Sequence, residues 1–126
     1  MNRKIMVVDD DEDIVNLTKT VLELGGYNVI AAHGGKECLE LLEKEKIDLV
    51  LLDIMMPEIS GWDVAAKIKE NPEWKNIPIV FLTAKGDTMS IGMGGMASED
   101  YIVKPFDKDA LLYRIKTILD NKVKNE

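Results

Sequence analysis

The chain has 126 residues, 46% hydrophobic and 31% charged, the size and make-up of one ordinary globular domain, so a single domain over residues 1–126 is expected. Its 23 acidic against 16 basic side chains leave a net charge of −7, which repels phosphate backbones and supplies no polybasic stripe for an anionic membrane, so neither direct nucleic-acid binding nor a membrane partner is expected. The apolar run of four residues ahead of the acidic stretch DDDED is too short for a signal peptide, and no segment reaches membrane-spanning length, so the expected location is cytoplasmic.

The first apolar, β-branched run is IMVV (5–8), read as a strand. A helix follows over Glu12–Leu24, with Ile14, Leu17, Val21 and Leu24 on one stripe, Asp11 or Asp13 as its opening cap, and Gly25-Gly26 as its stop. VIAA (29–32) is the second strand, with His33 beside Gly34 in a loop or cap. A helix over 35–45 turns Cys38, Leu39 and Leu42 inward. Cys38, the one cysteine, has no internal disulfide partner and reads as a small core residue.

LVLL (49–52) is the third strand, and S-G-W-D from Ser60 has the spacing of a capping box that opens a helix ending before Asn71-Pro72. IVFL (79–82) is the fourth strand. A helical segment is expected between Asp87 and Ser98, short or frayed because it holds Gly92, Gly94 and Gly95, each costing about 1 kcal/mol against alanine. YIV (101–103) is the fifth strand. The last helix begins after Asp107 and buries Leu111, Leu112, Ile115, Ile118 and Leu119, leaving a polar tail, NKVKNE, at 121–126. Strands alternating with helices argue for an α/β fold with a parallel sheet, and near-continuous apolarity in the strands argues for helices on both faces.

In such a sheet all strand C-termini share one edge, and ligands bind where the strand order reverses. Strand one ends in Asp9-Asp10-Asp11, strand three in Asp53, strand four in Thr83 and strand five in Lys104-Pro105. Acids gathered there repel: two unit charges 4 Å apart cost about 4 kcal/mol at an effective dielectric of 20. Hard oxygen donors without a His or Cys cluster favour Mg2+, with Mn2+ possible, and magnesium keeps waters and awaits a phosphate. Lys104 as a point charge and Thr83 as a hydroxyl donor suit the far side of that phosphate, and Asp53 suits a nucleophile, since carboxylates form aspartyl-phosphates. Each residue taken singly also has a structural reading, as cap, turn or solvated loop residue; four such groups at four strand ends carry the case.

With VVDDD (7–11), LLDIMMPEISGWD (51–63), FLTAK (81–85) and YIVKPF (101–106), the sequence resembles the receiver domains of two-component response regulators, similar to single-domain chemotaxis regulators. The resemblance implies a doubly wound, flavodoxin-like five-stranded sheet of order 2-1-3-4-5. It implies Asp53 as phosphoacceptor, Asp10 as direct magnesium ligand, Asp9 assisting through water, and the Met55 backbone carbonyl completing the metal site. It further implies Lys104 as phosphoryl ligand before a cis Pro105, and Thr83 with Tyr101 as the switch pair. The implied partners are a histidine kinase or phosphotransfer protein and an effector, with phosphorylation-dependent dimerisation as one output.

The function so expected is a phosphoacceptor signalling module that phosphorylates and dephosphorylates itself without being a multiple-turnover enzyme. A phosphorelay intermediate or phosphate sink would use the same site. A haloacid-dehalogenase-type phosphatase also uses an aspartate at a strand end with magnesium, but wants a second carboxylate two residues on, where this chain has Met55. Met55 is apolar where many such receivers are polar, and is expected to hinder the attacking water and lengthen the phosphorylated lifetime.

Overall fold

The five apolar runs become five strands, the central ones covered from both sides. Ile5 to Val8 and Leu49 to Leu52 are all fully buried, and a strand without a solvent face has no need of polar alternation. The computed structural model describes residues 3–84 and 100–124. In it, β1 (Lys4–Val8), β2 (Asn28–Ala32), β3 (Leu49–Asp53), β4 (Ile79–Ala84) and β5 (Asp100–Lys104) form one sheet of order β2-β1-β3-β4-β5. Every pairing is parallel. The helices are α1 (Glu12–Leu24), α2 (Gly35–Lys44), α3 (Gly61–Glu70) and α4 (Lys108–Lys124).

Alternate strand residues supply two cores. Met6, Val8, Val50, Leu52, Ile79 and Phe81 pack with Cys38, Leu42, Val64 and Ile68 of α2 and α3. Ile5, Val7, Leu49, Leu51, Val80 and Leu82 pack with Val21 and Leu22 of α1 and with Leu111, Ile115 and Leu119 of α4. Burial pushes the Cys38 thiol up to about 12, so it is a neutral core residue at physiological pH. No helix among the described residues is long and apolar enough to cross a membrane.

Two expectations are corrected. The buried face of α1 is Val15, Thr18, Val21 and Leu22, whereas Leu17 is 54% and Leu24 76% exposed. The helix is wide enough in aliphatic residues for two stripes, and Thr18, polar by type, sits at the centre of the true one. The expected tail is also shorter: Asn121–Lys124 continue α4. The segment expected at Asp87–Ser98 lies outside the described residues.

Thr18 carries a cost. Its hydroxyl is fully buried and has no hydrogen-bond partner among the described residues, and a polar group buried without a partner loses its hydration for nothing. Thr18→Val, of nearly the same shape, is expected to raise stability by about 1 kcal/mol, read as a higher urea midpoint at unchanged slope.

Candidate functional site

Chain order places the crevice. From β1 the chain crosses to β2 on one side and then to β3 on the other, so the strand order reverses between β1 and β3. The register pairs Val8 with Leu52, which brings Asp9 and Asp53 level at the sheet edge. Leu82 pairs with Asp53, Thr83 with Val103, and Ala84 with Lys104. Four of the residues expected at the edge, Asp9, Asp53, Thr83 and Lys104, are therefore delivered there by strand ends alone.

The Lys104 ammonium donates to Asp9 Oδ2 at 3.1 Å and to Asp53 Oδ1 at 3.3 Å. Both carboxylates are buried, Asp9 to 1% and Asp53 to 5% exposure. Asp9 Oδ1 also accepts from the Asp11 N–H at 3.0 Å, while Asp11 caps α1 by accepting from the N–H groups of Asp13 and Ile14. The acidic run thus divides: Asp9 faces the site and Asp11 opens a helix. Asp10 is exposed, and one carboxylate oxygen from each of Asp9, Asp10 and Asp53 lies within 4.8 Å of the others.

Among the described residues three carboxylates gather around one ammonium, an excess of negative charge. Burial first, then the Asp9 carboxylate, pushes the Asp53 carboxyl up to about 6 in spite of Lys104. For Lys104, burial alone would lower the ammonium, but Asp53 and Asp9 outweigh it and hold it above the ordinary lysine value. An all-oxygen donor set of this kind, with one exposed member and excess negative charge, fits a hard divalent cation that retains water.

The loop after β3 carries Met55, 63% exposed, and Met56, which packs against the α2/α3 core. Ser60 caps α3 by accepting from the Asp63 N–H at 3.3 Å and donates to Asp63 Oδ2 at 3.2 Å. Thr83 is fully buried at the end of β4. Tyr101, by contrast, is 43% exposed on β5, and its backbone carbonyl accepts from Arg114 Nη2 at 3.2 Å. The Lys104–Pro105 peptide is cis, as the resemblance implied. His33 stands apart as an exposed residue whose N–H donates to Glu37 Oε1 at 2.6 Å.

Two close approaches at glycines escaped the sequence reading, although Gly61 itself was read as part of a loop of fixed geometry before α3. Gly61 lies so close to the Asp53 backbone oxygen, and Gly35 to Ile59 Cγ2, that neither has room for a Cβ. Both contacts join residues of different elements, so no local pattern announces them.

The profile of the response regulator receiver domain matches residues 5–116. The transcriptional regulatory protein CpxR of Escherichia coli K12 is 40% identical over 117 residues, 92% of this chain and 49% of that protein. The alkaline phosphatase synthesis transcriptional regulatory protein PhoP of Bacillus subtilis is 41% identical over 120 residues, 94% of this chain and 49% of that protein. The chain therefore spans about half the length of the curated relatives it matches. Among solved structures, a response regulator receiver domain protein of Clostridium thermocellum superposes with a TM-score of 0.88 at 28% identity, covering 98% of this chain and 99% of that one. The Vibrio cholerae chemotaxis protein CheY4 superposes at 0.85 with 26% identity, covering 93% and 98%.

Proposed function

The chain belongs to the response regulator receiver domain family, and from that premise we propose that it is a phosphorylation-controlled binding module whose phosphoacceptor is Asp53. The observation that carries this reading is a buried carboxylate at a strand end, 3.3 Å from a lysine and grouped with two further acids. The donor is a histidine kinase or phosphotransfer protein in the cytoplasm. An Asp53 oxygen forms the O–P bond as the bond from phosphorus to the donor nitrogen breaks, and the imidazole leaves with that electron pair. Lys104, already against Asp53, binds the phosphoryl oxygens, and the Thr83 hydroxyl donates to another of them. Asp10 and Asp53 directly, Asp9 through water, and the Met55 backbone carbonyl would hold Mg2+, which supplies the remaining countercharge.

The readout follows from the change of charge. A new phosphoryl group biases Thr83 toward the site, and the exposed Tyr101 ring turns inward behind it, so the surface around β5 and α4 alters for an effector or a second copy. The reaction stops at one phosphoryl group per chain until the chain hydrolyses it, which separates this domain from a multiple-turnover phosphatase.

Acetyl phosphate with Mg2+ tests the reading. Intact mass and peptide mapping are expected to find one phosphoryl group, on Asp53, with Asp10→Asn losing the magnesium dependence. No adduct, or an adduct on another side chain, overturns the reading. Met55, exposed two residues after Asp53, is expected to obstruct water, so Met55→Asn should lose its phosphoryl group several-fold faster; an equal or slower rate removes Met55 from the account.

A further inference from the structure

The loop between β3 and α3 is held at both ends and strained in the middle. At its end the Gly61 N–H donates to the Ile54 carbonyl at 2.8 Å, and a Cβ on Gly61 would collide with the Asp53 backbone oxygen and lie 2.8 Å from Ile54 Cα. In its middle the Ile59 N–H donates to the Pro57 carbonyl at 2.8 Å, closing a three-residue turn on Glu58 at φ 71. That is the rarer hand of γ-turn, in a backbone region that side-chain-bearing residues avoid. Such a conformation persists only where its surroundings over-determine it.

The surroundings include a residue of another helix. A Cβ on Gly35, the first residue of α2, would collide with Ile59 Cγ2 and lie 2.6 Å from Val64 Cγ2. Ile59 is the residue immediately after the strained turn, and its side chain fills the notch that Gly35 leaves. Val64 is fully buried and Ile59 is partly buried against the same core, and both contacts are Cγ2 methyls of stiff β-branched side chains, so a Cβ at 35 would force Ile59 to shift. Nor does backbone conformation call for glycine at 35: the residue is helical, and alanine is the better helix former. Space for Ile59 is what this glycine provides.

We propose that Gly35 is a positioning residue for the Asp53 site. By seating Ile59 it fixes the Glu58 turn, and with it the path of the chain from Asp53 through Met55, the segment assigned above to phosphoryl and metal binding. The inference rests on that assignment for its functional consequence and on the packing alone for its structural one.

Gly35→Ala tests it in the full chain, with Mg2+ and acetyl phosphate as probes. The amide NMR shifts of Ile54, Met55, Met56, Glu58, Ile59 and Ser60 are expected to move. The Mg2+ dissociation constant is expected to rise and Asp53 labelling to slow by about 10-fold each, the order of penalty for a small misplacement of reacting groups. Gly35→Ala/Ile59→Leu, which removes the Cγ2 methyl facing the new Cβ, should recover most of both. If Gly35→Ala fails to fold, Ile59→Ala asks the same question by emptying the notch, and the same amides should move. A variant with a lower melting temperature but unchanged loop shifts and magnesium affinity, or a loss that Ile59→Leu does not restore, overturns the proposal. Absence of labelling in the wild type would refute the phosphoacceptor reading, whereas the loop shifts still decide the role of Gly35.

Discussion

In metal-free buffer above pH 7, Asp53→Asn is expected to be more stable than the wild type by about 1 to 2 kcal/mol while accepting no phosphoryl group. The Asp53 carboxyl is pushed up to about 6 in the folded chain by burial and by Asp9, against an ordinary value of 3.8. Between those values the folded chain binds the extra proton, so wild-type stability falls as pH rises through the window. Asparagine has no such proton, and Lys104 keeps its bond to Asp9. The variant's advantage is therefore full above pH 6 and gone below about pH 4. The expected gain is below the full conversion of the shift because the exposed Asp10 side of the site admits water. Chemical denaturation of both proteins across that pH range, with chelator present, reads the effect. A variant no more stable than wild type above pH 7 would show that the acids at this edge do not strain the fold.

The opposite sign is expected for Lys104→Met. The methionine keeps much of the apolar stem but removes the cation from two carboxylates that are 1% and 5% exposed, and breaking a buried pair by deleting one partner costs about 3 kcal/mol. Acid relieves the loss, because Asp53 then takes up a proton at still higher pH than in the wild type. Adding Asp53→Asn should also relieve it, so the double variant loses less than the two single effects predict. Additive effects would mean that Lys104 and Asp53 do not share a charge-pairing network.

Strands and their edge were legible in the sequence because both depend on local pattern. A run as short as LVLL, in a chain whose apolar runs alternate with helical stretches, reads as a strand buried on both faces, and once the strands are parallel the acids, Thr83 and Lys104 must share an edge. The inward face of α1 was not legible, since Thr18 at its centre is indistinguishable by type from a surface residue. The end of α4 was missed because Asn121, Lys122 and Lys124 are polar by type and read as a tail. Nor could the spacing of charges give their balance. That Asp9 would be buried to 1% and grip Lys104 as closely as Asp53 does follows from the depth of the crevice. Gly35 and Ile59 meet through tertiary packing, and neither residue type hints at the other.

Lys104 reaches back 51 residues to Asp53 and 95 to Asp9. On the ribosome, the acids of β1 and β3 emerge long before their cation, and contacts of such range form only once the intervening chain is in place. A nascent polypeptide halted ahead of β5 therefore presents the carboxylates with no ammonium beside them. The charge-paired site is complete only once β5 has been made, so a chain cut short before it lacks the ammonium beside Asp9 and Asp53.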